Sequence, residues 1–130
     1  MRSIVVAAVL LSTGRAMAAP HVAIASSTSA KATSLTREAV QTKIDAVYRP
    51  GLVRCYGETL KANPSATGKL VASFDVDKTG RLSNARVATF ASDLETCVAS
   101  LMFAWRFAAP KADDGSPTDG SFSVTFDLTP

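Results

Sequence analysis

The chain has 130 residues, enough for one domain, and a formal net charge of +3. Two of those charges, Arg2 and Arg15, lie at the N-terminus, and from Leu35 onward eleven Lys and Arg balance eleven Asp and Glu. That balance leaves no basic face for phosphates, so nucleic acid is excluded as an expected partner, and it gives no membrane-surface signal.

The first eighteen residues read as a secretory signal. Arg2 is a short positive region, Ile4 to Leu11 are apolar, and Ala16-Met17-Ala18 is an A-x-A cleavage pattern. Cleavage is expected after Ala18. The apolar run is shorter than the ~20 residues of a spanning helix, so no stable membrane insertion is expected afterwards. The expected location is the periplasm or the medium.

Residues 19–34, rich in Ala, Ser and Thr, lack an apolar period and read as a disordered tether that includes His21. The domain is expected from residue 35 to 130. A first helix starts near Thr36, with Glu38 favourably placed in its first turn. Val40, Ile44 and Val47 fall on one face. Pro50 ends or kinks it. A second helix runs from about Pro50 to Ala62 with Leu52, Tyr56 and Leu60 on one stripe; one kinked helix from Thr36 to Ala62 is the alternative.

Asn63-Pro64 and Gly68 break the helix, and Lys69 to Asp77 alternate as a first strand. Its apolar side carries Leu70, Ala72, Phe74 and Val76. Lys78-Thr79-Gly80 turns the chain into a second strand, Leu82 to Phe90. The parity of Leu82, Ala85 and Val87 changes, which predicts a bulge near Ser83-Asn84. Ser92-Asp93-Leu94-Glu95 fits a capping box for a third helix, whose stripe is Leu94, Cys97/Val98, Leu101 and Trp105 and whose end is Ala109-Pro110. After a polar loop, Ser121 to Leu128 alternate as a third strand. The order ααββαβ is α+β, with helices packed on one face of a three-stranded antiparallel sheet.

No catalytic constellation is visible. The one histidine lies outside the domain, and the carboxylate pairs Asp75/Asp77 and Asp113/Asp114 sit on an outward strand face and a loop. An enzyme is not expected. Asp75 to Leu82 resembles the start of a calcium loop, but Arg86 stands where the bidentate Glu is needed and the flanks are strands, so it reads as a hairpin turn. No metal and no cofactor is expected. Two cysteines in an exported chain usually pair, so Cys55 and Cys97 are expected to join the second and third helices by a disulfide.

Cys55-Tyr56, Leu60, Pro64, Gly68-Lys69 and Gly80-Arg81-Leu82 form a spaced pattern, followed by Cys97, Trp105-Arg106-Phe107 and Pro110. From about Thr36 to Leu128 this resembles the C-terminal domain of the AgmX/PglI gliding-motility proteins, a relative of the TonB C-terminal domain. The W-x-F-x-P element of the pattern reads Trp105-Arg106-Phe107-Ala108-Ala109-Pro110 here, with alanine where the proline usually follows the Phe. The resemblance implies a periplasmic domain that binds a partner peptide by strand addition.

The expected function is therefore an exported protein- or peptide-binding module of the cell envelope, without a membrane anchor. A structural subunit of an envelope motility or transport complex is the alternative. The tight hairpin and an all-antiparallel sheet require strand order 2-1-3. That order makes the third strand an edge, with Ser121, Phe122, Ser123, Val124, Thr125, Phe126 and Asp127 as docking residues. Tyr56, Leu60, Phe74, Leu101, Trp105 and Phe107 are the expected core.

Overall fold

The computed structural model describes residues 20–130. The expected signal peptide and its cleavage site lie outside them. The elements are β1 (His21–Ser29), α1 (Arg37–Lys43), a π-helical turn (Ile44–Tyr48), α2 (Arg49–Ala62), β2 (Gly68–Val76), β3 (Leu82–Thr89), α3 (Ser92–Met102) and β4 (Gly120–Thr129). The α+β class and the disulfide are as the sequence predicts.

The sheet, however, has four antiparallel strands in the order β1-β4-β2-β3. The expected run of three survives inside it as β3-β2-β4. The addition is β1, which occupies most of the stretch expected to be a disordered tether. It pairs with β4 from His21↔Thr129 to Ser29↔Phe122. Only Val22 and Ile24 supply apolar contacts there. The backbone ladder, invisible to side-chain patterning, carries the rest of the strand.

Thr36 caps α1, its Oγ1 accepting from the Ala39 N–H at 3.0 Å. The helix then runs unbroken through the π turn into α2, so the kinked-helix alternative holds. Pro50 has no N–H and its ring crowds the carbonyl four residues back. The ladder widens just before it, and the Arg49 N–H bonds to the Ile44 carbonyl. That widening inserts a residue into the helical period. Val47 consequently rotates outward to 52% exposure instead of extending the Val40–Ile44 stripe.

The helical residues Val40, Ile44, Leu52, Tyr56, Leu94, Val98 and Met102 close over the sheet face of Leu70, Phe74, Val124 and Phe126, and all are buried. Tyr56 donates its hydroxyl to the Ala66 carbonyl, and burial raises its phenol above the usual range. The opposite sheet face carries Ser73, Asp75, Ser121, Ser123 and Thr125, all half-buried.

Two expectations for α3 are overturned. Ser92 does not cap it: the N-cap is Ala91, with no side-chain cap bond. The helix also ends at Met102, well before Pro110. Trp105 to Phe107 instead form an extended connector. The Phe107 N–H bonds to the Gly80 carbonyl at 3.0 Å, and Arg106 bridges to Arg81. Aromatic stacking holds this connector better than another helical turn could. Trp105 stacks on Tyr48 at 4.9 Å, and Phe107 on Phe74 at 5.6 Å. The Tyr48 hydroxyl accepts from the Arg106 N–H at 2.7 Å and donates to its carbonyl at 3.0 Å. Gly80 lies beneath, at φ +88°, where a Cβ would sit 2.3 Å from the Phe107 oxygen. Only glycine meets both demands.

Of the six expected core residues, Tyr56, Phe74, Trp105 and Phe107 are buried. Leu60 and Leu101 are only partly buried, at the rim.

Candidate functional site

Where the backbone is free to pair decides where an extended partner could add. β4 is not such a place. Ser121 to Asp127 have β2 on one side, with Asp75↔Ser121 to Lys69↔Asp127, and β1 on the other. The expected docking strand is thus an inner strand. The expectation failed because it rested on a three-strand sheet.

The true edges are β1 and β3. β1 is bulged between Ile24 and Ser26 and is overlaid by α1. The Arg37 guanidinium donates to the Ser27 carbonyl at 3.1 Å, and the Gln41 amide to the Ser27 hydroxyl at 2.6 Å. His21 lies on this strand, exposed.

β3 is barer. Arg106 covers it only at Arg81. The predicted bulge is present: Ser73 faces Arg86 but Asp75 faces Ser83, and Asn84 adopts φ 51°. The Asn84 amide donates to Asp75 Oδ2 at 2.8 Å and Ser121 to its Oδ1 at 2.7 Å. These bonds, Asn84 first, hold the Asp75 carboxyl below the usual carboxylate range. Past the bulge, Arg86 to Thr89 pair residue for residue with Leu70 to Ser73, and Phe90 follows at 43% exposure. No backbone bond reaches this stretch from its outer side among the described residues.

The turn into β3 is held by Asp77. Its Oδ1 accepts from the Thr79 N–H at 2.8 Å, the Thr79 hydroxyl at 2.6 Å and the Arg81 N–H at 3.1 Å. These bonds, the Thr79 hydroxyl first, lower its pKa. In the other carboxylate pair, Asp114 Oδ1 similarly accepts from the Ser116 N–H and hydroxyl. Both resemble Asx turns rather than convergent sites. Among the described residues no group of three or more His, Cys, Asp and Glu side chains converges on one point. No described helix is long and apolar enough to cross a membrane.

A second feature lies on the helical side. α2 and α3 are joined by the Cys55–Cys97 disulfide, with Cα atoms 5.8 Å apart. Beside it runs a mostly apolar groove of about 680 Å³, lined by Pro20, Val53, Gly57, Leu60, Leu101 and both cysteines, with Arg54, Glu58 and Lys61 also on it. Sequence reading assigned Leu60 and Leu101 to the core and missed the groove. The signal was there in Gly51 and Gly57, two glycines in one helix flanking Cys55.

The chain matches no protein-family model, no curated protein and no solved structure.

Proposed function

We propose that this chain is an exported envelope module that binds a protein or peptide by adding an extended segment to the outer edge of β3, at Ala85 to Phe90. The observation that carries this reading is the regular, outwardly unpaired edge past the Asn84 bulge. The disulfide supports export, because such bonds persist in oxidising compartments. The resemblance to the AgmX/PglI and TonB C-terminal domains supports the same mode of binding, transferred from β4 to β3. The expected signal at residues 1–18 and the expectation of no catalytic site belong to this reading. The test is a photo-crosslinker at Ala88, with a control at Ser26 on β1, in an envelope extract. The crosslinked segment, made as a peptide, should protect amides of Ala85 to Thr89 from exchange. Equal capture at Ser26, or protection confined to other elements, overturns the proposal.

A second reading, a permanent subunit of an envelope complex, is favoured by one observation. Phe103 is 84% exposed at the end of α3, and Val47 is exposed too. A subunit of that kind self-associates or aggregates when purified alone, whereas a transient binder sediments as a monomer.

A further inference from the structure

The two sulfurs of the disulfide are not equivalent. Cys55 is 2% exposed, in the core. Cys97 is only partly buried and lies on the floor of the α2–α3 groove. Both cysteines line the groove, and Cys97 is the less buried residue, which makes it the less hindered target.

The groove around it is built open. Gly51 has a packing reason: a Cβ there would sit 2.9 Å from Leu101 Cδ1. Gly57 has none. A Cβ on it would meet only Pro20 Cγ, at an ordinary 3.8 Å. Glycine in a helix interior is destabilising relative to alanine, so Gly57 weakens α2 without relieving a clash. What it does is keep the floor clear beside the disulfide. The volume lies in the range of clefts that take several side chains. A mostly apolar lining with Arg54, Glu58 and Lys61 also on it suits the mixed surface around a protein thiol better than a small hydrated thiol.

We infer that the Cys55–Cys97 disulfide is a native-state exchange site, reached through this groove by a dithiol protein whose thiolate attacks Cys97. The attack forms a bond from the partner sulfur to Cys97 Sγ and breaks the Cys55–Cys97 bond. Cys55 leaves with the electron pair and takes the proton given up by the partner's second thiol, which becomes the next thiolate. That thiolate then displaces Cys97, which is protonated from solvent. The partner is oxidised to its disulfide, and this chain gains two electrons and two protons. The reverse sequence installs the bond.

The test uses the purified, disulfide-bonded protein and reduced thioredoxin whose second active-site cysteine is serine, so that the mixed disulfide accumulates. Without denaturant, the adduct is expected on Cys97 by peptide mapping, at least tenfold faster than with glutathione at equal thiolate concentration. Gly57→Leu fills the floor and raises helix propensity, and should slow adduct formation tenfold or more without lowering the melting temperature. Should Gly57→Leu misfold, Val53→Thr, which makes one wall polar at nearly constant volume, should slow it severalfold. The inference fails if the adduct forms on Cys55 or forms only in the unfolding transition. It also fails if glutathione reacts as fast, or if the folded groove variant reacts at the wild-type rate.

Discussion

β1 and β3 both end the sheet and both carry a bulge, but the rest of the fold treats them differently. Each lies against a helix, β1 against α1 and β3 against α3, but at β1 Arg37 takes one of the strand's carbonyls. β3 is pinned through its bulge by Asp75 and at its start by the Arg106 connector, and beyond that its outer side is bare. Unshielded edges invite pairing with another chain, and folds usually blunt them. An edge that is blunted only at one end has room for a partner at the other. The asymmetry therefore locates the proposed binding strand better than composition does, because both strands are rich in small residues.

The largest test of that asymmetry is removal of β1. Without residues 20–29, β4 loses one ladder and its buried face loses Val22. The shortened protein should aggregate or unfold at room temperature, seen by sedimentation and circular dichroism. Val22→Ala alone should cost about 2 kcal/mol in urea denaturation. Exposed positions on β3, such as Ala88→Ser, should change stability by less than about 0.5 kcal/mol. If β1 can be deleted without loss, it is an appendage, and β4 becomes the working edge after all.

Next in size is the crosslink. Replacing Cys55 and Cys97 together by alanine should cost about 4 kcal/mol in the chain-entropy view of a loop this long. The loss should loosen the helical layer while β1–β4 pairing stays the best-protected ladder in amide exchange. Gly80→Ala attacks the start of β3 instead. Its Cβ would strike the Phe107 carbonyl in a backbone conformation that alanine avoids. A cost of about 2 kcal/mol or more is expected, with near-ultraviolet dichroism reporting disorder of Trp105. A neutral Gly80→Ala would mean the connector is not held by the turn.

Much of this was legible in the sequence, and the failures share a cause. β2, β3 and β4 announce themselves by alternation, and the Asn84 bulge by a parity break. The disulfide follows from the expected export and the cysteine count. β1 announces nothing, since Ser26 to Ser29 have no apolar side chain to alternate. Its stability lies in backbone bonds to a strand some hundred residues away. The Trp105 connector looked helical because Leu101 to Trp105 keeps helical spacing, yet the ring's best partner is Tyr48. Tyr48 is aimed there by a π turn that Pro50 provokes. The docking strand was misplaced by arithmetic on the wrong number of strands; one unseen strand turns an edge into an interior.

Acid separates the two edges by the smallest but most selective effect. The β3 edge is pinned by carboxylates: Asp75 at the bulge and Asp77 at the turn, both held below the ordinary range by hydrogen bonds. A folded pKa below the unfolded value of about 3.9 means that the unfolded chain binds the proton first. Their stabilisation is therefore complete above about pH 4 and is lost as pH falls through the folded values. At the β1 edge the contacts to Ser27 come from Arg37 and Gln41, and the carboxylate beside them, Glu38, held low by a backbone hydrogen bond and then by Arg37, bonds to Arg37 and not to the strand. Amides of Ser83 to Arg86 should thus lose protection only as pH falls below about 4, after correction for intrinsic exchange, before those of Ser26 to Ser29. Asp75→Asn keeps the shape but changes the pairing with Asn84, and should remove most of the pH dependence at the bulge. If the two edges fray together on acidification, the carboxylates do not hold β3. Its bareness past Asn84 would then extend along the whole strand.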